Sequence, residues 1–322
     1  MEKLDLKDKR IISELEENAR QTNKQIGKKI GVNTDLVRYR IKRLEEEGII
    51  KWFLTIINIA KIGYTDFGVY ITTQKLTKEK EKEFTKHLIQ QKHISYIAKL
   101  GGRYDFVIGL LAKDVLEFHQ LLTNTLKKHE EFIVEKDIAI RLLLAHFPKK
   151  YLITKENRLQ ENPVFGGEIQ QETLDETDQQ ILSELATKAR VNVVNIAQKT
   201  NIPASTITQR IKKLKEKKVI TGFFPIINNK KIQYQNYLVH IRVKNSNNTQ
   251  ENKLFMFCRE HKNITYIIKT IGKWNYEIHI EVPNQETLQE TLTQLREQIL
   301  EDITNIEVIM LFEDIKYNLY PF

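Results

Sequence analysis

Two stretches of the chain with helical periodicity carry side chains that can hydrogen-bond to bases and phosphates. Over residues 33–47, the polar face presents Thr34, Asp35, Arg38, Tyr39 and Lys42. Over residues 204–217, the polar face presents Ala204, Ser205, Thr208, Gln209 and Lys212. Arginine can pair bidentately with guanine and glutamine with adenine, whereas lysine and hydroxyl groups hold phosphates. These residues, except the phosphate-repelling Asp35 and the inert Ala204, therefore predict contact with double-stranded DNA.

Each stretch is the third helix of a helix-turn-helix pattern, which would place its polar face toward solvent. Before the first stretch, apolar residues have helical spacing over Asp8–Asn18, and Thr22 caps a short second helix. Gly31 can take the left-handed conformation that ends this second helix, and Asn33 caps the third. In the second copy, the pattern covers residues 178–187, 193–200 and 204–217.

The two patterns belong to an internal duplication with an offset of 170 residues. For example, Arg40-Ile41-Lys42 returns as Arg210-Ile211-Lys212. Pro203 takes the place of the capping Asn33, so the second copy loses one cap oxygen. A period this long is too large for a solenoid unit and indicates two domain-sized copies. We therefore expect an intrachain pseudo-dimer or a homo-oligomer with a two-fold arrangement.

A pattern of strands and helices follows each helix-turn-helix unit. Segments rich in β-branched and aromatic residues predict strands, and amphipathic segments predict helices between them. In the first copy these segments are 51–58, 67–74, 77–91, 94–100, 105–111, 114–129 and about 133–144. In the second copy they are 221–228, 237–243, 250–261, 264–271, 275–282, 286–300 and 306–312. After the first strand of each set, the order is that of a ferredoxin-like βαββαβ domain, so the predicted fold class is α+β.

These patterns divide the chain into four predicted domains and a linker. The helix-turn-helix domains are expected over residues 1–60 and 173–230. The ferredoxin-like effector or oligomerisation domains are expected over residues 61–158 and 231–322. The turn-prone segment Leu159–Gly167 falls between the copies, and residues 159–172 are expected to form the linker.

Composition limits the class of protein. The 322 residues carry a net charge of +9, which favours a polyanionic partner. The apolar runs are too short to span a bilayer and the N-terminus has no apolar signal core, so we expect a cytoplasmic protein without membrane contact. The single cysteine, Cys258, cannot form an internal disulfide and is expected to be a small buried hydrophobe.

The residue types that support catalysis do not form a familiar catalytic or metal-binding pattern. The eight histidines have no His-x-x-x-His spacing, and a Cys-x-x-Cys pair is absent. The sequence also contains no Gly-x-x-x-x-Gly-Lys phosphate loop and no Gly-x-Ser-x-Gly elbow. His240 and His279 fall in predicted strands, where packing roles are expected. We therefore predict no enzyme activity, no catalytic residues, no metal and no cofactor.

Several motifs resemble those of the leucine-responsive (Lrp/AsnC) transcriptional regulators. The most specific is Val37-x-x-Arg40-Ile41-x-x-Leu44-Glu45-x-x-Gly48-Ile49-Ile50, within the first helix-turn-helix unit. Gly102-Arg103-Tyr104-Asp105-Phe106 is similar to the Gly-x-Tyr-Asp strand turn of that family's ligand-binding (RAM) domain. The resemblance covers nearly the whole chain, twice, and implies a sequence-specific DNA-binding transcriptional regulator.

The resemblance also implies an amino acid or related small-molecule effector at a domain interface. In the first copy, the residues at the matching turn are Gly101, Gly102, Tyr104 and Asp105. The two glycines leave the backbone open to a ligand, and Asp105 can take an amino group. The second copy has Gly272-Lys273-Trp274-Asn275 instead and lacks the carboxylate. By turn chemistry alone, a glycine-containing β-turn with Tyr104 packed in the sheet is the alternative.

Three alternatives to the DNA-binding regulator stay open at this point. An amphipathic surface helix has a basic polar face without binding DNA, and Arg40 and Arg210 can tie their helices to acidic neighbours. The same architecture occurs in tetrapyrrole (sirohaem) decarboxylases, so it also suits an enzyme or metabolite-binding protein without DNA function. The chain can also be an assembly partner for other Lrp-type chains. Basic recognition helices in both copies favour the regulator.

Overall fold

A computed structural model describes residues 4–153, 162–244, 248–299, 303–320 and 322. Within these residues the chain forms ten α-helices and eleven strands. The first helix-turn-helix unit consists of α1 Leu6–Glu17, α2 Asn23–Ile30, α3 Thr34–Glu46 and the strand β1 Ile50–Ile57. The next six elements are β2 Thr65–Thr73, α4 Lys78–Gln90, β3 Ile94–Gly101, β4 Phe106–Ala112, α5 Val115–Leu126 and β5 Ile133–His146.

The second copy repeats this order after the short strand β6, Val164–Gly166. Its helix-turn-helix unit consists of α6 Glu176–Ala186, α7 Val193–Thr200, α8 Ala204–Glu216 and β7 Ile220–Ile227. The remaining elements are β8 Gln235–Val243, α9 Asn248–Glu260, β9 Ile264–Gly272, β10 Tyr276–Val282, α10 Gln285–Ile299 and β11 Ile303–Tyr317. The α+β fold class predicted from the sequence is confirmed.

Side-chain caps fix the beginnings of the helices in the first unit. The Asp5 carboxylate accepts from the Asp8 backbone N–H at 2.8 Å, so α1 begins earlier than the predicted Asp8. The predicted caps Thr22 and Asn33 are confirmed, because each side chain accepts a backbone N–H of the helix that follows. Gly31 has φ +74°, the left-handed conformation expected at the end of α2.

The two helix-turn-helix units are joined by an antiparallel ribbon of β1 and β7. Residues of α1, α3, α6, α8 and both ribbon strands belong to one continuous hydrophobic core. Thr55 on β1 also donates its hydroxyl to the Leu185 carbonyl of α6 at 2.6 Å. The two units therefore form one packed body rather than two separate heads on a tether.

The other eight long strands close into a single antiparallel barrel. Each copy contributes four strands in ferredoxin-like order, β5-β2-β4-β3 from the first copy and β11-β8-β10-β9 from the second. The two sets join where β3 pairs with β11 and where β5 pairs with β9. The barrel makes the two copies an intrachain pseudo-dimer, one of the two arrangements expected from the duplication.

The joining strand β11 is longer than the sequence predicted. The expected strand covered residues 306–312, whereas β11 runs over Ile303–Tyr317. Its first part pairs with β8 of its own copy, and its last part, from Met310 to Tyr317, pairs with β3 of the other copy. The prediction was too short because the extension depends on a partner strand about 200 residues away, which local periodicity does not reveal.

Helices cover the outside of the barrel, and aromatic side chains fill part of its inside. Phe84 of α4 and Phe118 of α5 pack on the first copy's strands, while Leu254 of α9 packs on the second copy's strands. The interior contains a cluster that includes Tyr70 and Trp274. Of the expected linker, residues 159–161 lie outside the described part of the chain, and β6 pairs with the end of β5.

Candidate nucleic-acid interface

The third helix of each unit is held by its apolar face, which leaves its polar face in solvent. Val37, Ile41 and Leu44 of α3 are buried in the shared core, as are the equivalent residues of α8. The candidate DNA-contacting residues lie on the opposite face. Those exposed to solvent are Arg38, Tyr39, Lys42, Ser205, Thr208, Gln209 and Lys212, while Thr34 is half-buried. The structure therefore brings the candidates together on two helix faces of one body.

Arg40, in contrast, ties α3 to α1. Its guanidinium donates to Asp5 Oδ2 at 2.7 Å and to Asp8 Oδ1 at 2.8 Å. Arg43 adds a contact of 2.6 Å to the other oxygen of Asp8, whose side chain is almost fully buried. The acidic-neighbour interpretation is confirmed for Arg40, which orients the recognition helix rather than reading DNA.

Arg210 repeats this role in the second unit with weaker contacts. Its guanidinium lies 2.6 Å from Asp175 and 3.3 Å from Asp178, and it is more exposed than Arg40. Lys213 takes the place of Arg43, and Pro203 makes no side-chain cap to α8. The helix α8 is therefore positioned by fewer polar contacts than α3.

Several candidate side chains contact neighbours on their own helix. Arg38 lies 3.1 Å from Asp35, and both side chains are largely exposed. Lys42 lies 3.4 Å from Glu46, one turn further along. Such exposed pairs are worth about 0–1 kcal/mol, so a phosphate or a base edge can replace the carboxylate at little cost.

The two recognition helices differ strongly in charge. The segment 34–47 contains four basic and four acidic residues, whereas the segment 204–217 contains five basic residues and one acidic residue. The candidate residues chosen from the sequence omitted the exposed lysines beyond Lys212, which are Lys213, Lys215, Lys217 and Lys218. The run of basic residues in this segment is the sequence signal that would have identified these lysines.

The predicted effector turn is tightly bonded within the protein. The Tyr104 hydroxyl donates to Asp137 Oδ2 at 2.6 Å, and burial together with this hydrogen bond raises the pKa of Tyr104. Asp105 Oδ2 accepts from the backbone N–H of Thr73 at 2.7 Å. In the second copy, Asn275 Oδ1 accepts from Val243 N–H at 2.9 Å in the same way. Both turns therefore use this residue to brace the neighbouring strand.

The two glycines of this turn have different surroundings. A Cβ at Gly101 would lie 2.5 Å from the ring of Phe312 on β11, so a larger residue here would have to displace this exposed ring. Gly102 has φ +110° and open space around the position of a Cβ. Gly102 is therefore the part of the turn that offers backbone to an external group.

The described residues contain neither a cluster of metal-ligating side chains nor a membrane-spanning helix. They contain no group of three or more His, Cys, Asp or Glu side chains arranged to hold a metal ion. Among the same residues, no helix is both long enough and apolar enough to cross a membrane.

Comparisons with known proteins agree with the geometry of the two units. The family model described as winged helix-turn-helix DNA-binding matches residues 4–51 and again residues 174–221. The HTH-type transcriptional regulator LrpA of Pyrococcus horikoshii is 32% identical over 130 residues, which are 39% of this chain and 87% of LrpA. The chain belongs to the Lrp/AsnC family of transcriptional regulators. Its membership of that family confirms the interpretation of the chain as a transcriptional regulator rather than an enzyme.

Other Lrp/AsnC-type relatives match in the same way, over about one copy of the chain. The HTH-type transcriptional regulator Ptr1 of Methanocaldococcus jannaschii is 32% identical over 124 residues, 38% of this chain and 80% of Ptr1. The whole two-copy chain resembles a solved structure of the siroheme decarboxylase NirDL, with a TM-score of 0.61. That likeness covers 98% of this chain and 93% of NirDL at 11% identity, so it shows a shared fold alone.

Proposed function

We propose that this chain is a transcriptional regulator that binds one double-stranded DNA site through two unlike recognition helices, α3 and α8, acting as an intrachain pseudo-dimer. The observation that carries the proposal is the exposed polar face of each helix on a body built by the β1–β7 ribbon. A helix-turn-helix pair reads two half-sites whose spacing is set by the protein's own geometry. We also infer that the chain is cytoplasmic, because its relatives are transcriptional regulators.

The charge difference assigns different tasks to the two helices. We assign phosphate anchoring to α8, because the segment 204–217 contains five basic residues and one acidic residue. The segment 34–47 has no net charge, and its helix α3 offers Arg38 and Tyr39 for contact with base edges. In α8, Gln209 takes the place of Tyr39, so the two half-sites are expected to differ and the operator is not a perfect palindrome.

We further propose control by an amino-acid-like effector at the turn of Gly101, Gly102, Tyr104 and Asp105. The family membership and the open backbone at Gly102 support this site. Tyr104 and Asp105 already have protein partners, so an effector there would use Gly102 and replace one of those bonds. An effector of this kind acts by favouring one conformation or assembly, including a homo-oligomer, over another.

The experiment that tests the proposal is binding of the full chain to fragmented genomic DNA across a salt series. We expect selective recovery of a small set of sequences, with affinity that falls steeply as salt rises. The Lys86→Ala variant, changed on the barrel's outer helix α4, is the control for general loss of positive charge. Failure to select any sequence even at low salt would contradict the proposal.

A further inference from the structure

The second helices of the two helix-turn-helix units, α2 and α7, differ in charge on their exposed faces. Lys24 and Lys28 of α2 lie one turn apart on the same face of the helix, and both are exposed. The equivalent residues of α7, at an offset of 170, are Val194 and Gln198, which are also exposed. The helix α2 therefore presents two positive charges to solvent at positions where α7 presents none.

Both helices are held to the preceding helix of their unit in the same way. Lys29 of α2 lies 2.7 Å from the Glu14 carboxylate of α1, and the equivalent Lys199 of α7 lies 2.8 Å from the Glu184 carboxylate of α6. Ile26 of α2 is fully buried, as is its equivalent in α7. The difference in charge between α2 and α7 is therefore confined to residues that do not attach these helices to the body.

The turn between α2 and α3 is tighter than its equivalent in the second unit. The Gly27 carbonyl accepts from the Val32 backbone N–H at 3.0 Å, and a Cβ at Gly27 would lie 2.6 Å from the Val32 carbonyl oxygen. The equivalent residue of α7 is Ala197, whose Cβ excludes so close an approach. The end of α2 thus lies close to the start of α3, the part of a recognition helix that contacts base edges.

Basic residues without an acidic partner fall on different helices in the two units. The four basic residues of the segment 34–47 each lie 2.6 to 3.4 Å from a carboxylate oxygen; they are Arg38, Arg40, Lys42 and Arg43. Lys24 and Lys28 of α2 make no ion pair within the part of the chain that the structure describes. In the second unit, the lysines without an ion pair among those residues include Lys213 and Lys215 of α8.

We propose that the two units hold the DNA backbone with different helices, the first with Lys24 and Lys28 of α2 and the second with Lys213 and Lys215 of α8. The proposal rests on the proposed DNA binding and names phosphate contacts that the neutral segment 34–47 is poorly suited to supply. In a helix-turn-helix complex the first helix of the motif crosses the DNA backbone, where an unpaired ammonium group meets a phosphate. A dimer of identical chains has to hold both half-sites alike, whereas this pseudo-dimer does not.

The test measures the affinity of the full chain for its selected DNA across a salt series. In the variant Lys24→Gln with Lys28→Gln, the fall of log affinity with log salt is expected to become less steep by about 2, as for loss of two phosphate contacts. Glutamine has nearly the helix propensity of lysine, so the free energy of unfolding should not change. Lys24→Arg with Lys28→Arg keeps both charges and is expected to keep the slope, as is the control Lys86→Ala on α4.

The matching variant of the second unit is Lys213→Gln with Lys215→Gln, for which we also expect a slope less steep by about 2. An unchanged slope in either glutamine variant would overturn the proposal, as would an equal loss of slope in the arginine variant. In each of these cases the parent still selects its DNA, so the proposed function stands. Absence of selective binding by the parent would overturn both this proposal and the function on which it rests.

Discussion

Arg20 and Arg190 occupy equivalent positions in the two copies, and each guanidinium bonds to the backbone of the other copy. Arg20 Nη1 donates to the carbonyls of Ala189 at 2.6 Å and Val191 at 3.1 Å. Arg190 Nη1 donates in return to the carbonyls of Ala19 and, at 3.1 Å, Gln21. This exchange, together with the β1–β7 ribbon, fixes the position of one helix-turn-helix unit relative to the other.

Loss of either arginine is expected to loosen this connection. Arg20→Ala or Arg190→Ala leaves buried carbonyls without a charged donor, which costs about 1–3 kcal/mol of unfolding free energy. Denaturant unfolding measures the loss, and the exposed Arg10→Ala variant provides the control. We also expect both variants to bind DNA with two half-sites more weakly than their affinities for the single half-sites would predict. An unchanged free energy of unfolding in both variants would contradict the proposed role.

Arg40 and Arg210 are expected to affect stability unequally. Arg40→Ala leaves Asp8 buried with one basic partner fewer, so we expect a loss of about 1–3 kcal/mol. Arg210→Ala removes a more exposed contact, so we expect a smaller loss. Denaturant unfolding of both variants and of the double variant measures the difference. Equal losses would show that burial of Asp8 does not decide the effect.

The sequence predicted most of the local structure because local rules determine it. Caps such as Thr22 and Asn33 and the left-handed Gly31 act within one turn of their own position, and the structure confirms them. The helical spacing of the apolar residues in α3 predicts which face of the helix is buried, so the exposure of Arg38 and Lys42 was also predictable. The duplication predicted a two-fold arrangement, which the barrel realises within one chain.

Features that join distant parts of the chain were not predictable in this way. The end of β11 is a strand because β3 lies beside it, and Arg20 finds its acceptors 169 and 171 residues away. Six charged residues that meet at the junction of the barrel and the ribbon come from four different strands and from the segment after β5, so no spacing along the sequence relates them; they are Asp66, Arg141, Glu277, Glu281, Asp314 and Lys149. In the effector turn, the sequence identified Asp105 but not the bond to Thr73 that already occupies it.

The two recognition helices are expected to differ in their salt dependence. Lys212→Ala should weaken binding to all DNA sequences. The fall of log affinity with log salt should become less steep by about 1, as for loss of one phosphate contact. Lys42→Ala, at the equivalent position, should have a smaller effect because the segment 34–47 also carries four acidic residues. Equal changes in slope for the two variants would contradict α8 as the phosphate anchor.

Substitution of the base-reading residues is expected to change the sequence preference of DNA binding and not its salt dependence. Arg38→Ala and Gln209→Ala each remove a side chain that can pair bidentately with a base, worth about 1–3 kcal/mol of discrimination. Selection of bound sequences from a random DNA pool should then show a relaxed base preference at one half-site for each variant. The half-site affected should differ between the two variants. Relaxation at the same positions would contradict two separate reading helices.

Glu16 on α1 is expected to make stability depend on pH. Its carboxylate is buried where the helix-turn-helix body meets Lys149 and Glu281. Burial raises its pKa to about 8, with Lys149 opposing the rise and Glu281 adding to it. The equivalent residue in the second copy is Ala186, so the fold does not require a carboxyl group at this position.

The sign of the effect follows from the direction of this shift. Between about pH 4.5 and pH 8 the unfolded chain ionises Glu16 while the folded chain keeps its proton, so the folded state loses stability as pH rises. Glu16→Gln removes this cost, and its stability gain over the parent should grow from near zero at pH 4.5 to at most about 3 kcal/mol at pH 7. Lys149 lowers the pKa of Glu281 to about 2 against the opposing effect of burial, so Glu281 stays ionised throughout this window. Denaturant unfolding at pH 5, 6, 7 and 8 measures the difference, with the exposed Glu46→Gln variant as a control for lost negative charge. A gain that is the same at every pH would mean that Glu16 is ionised in the folded protein.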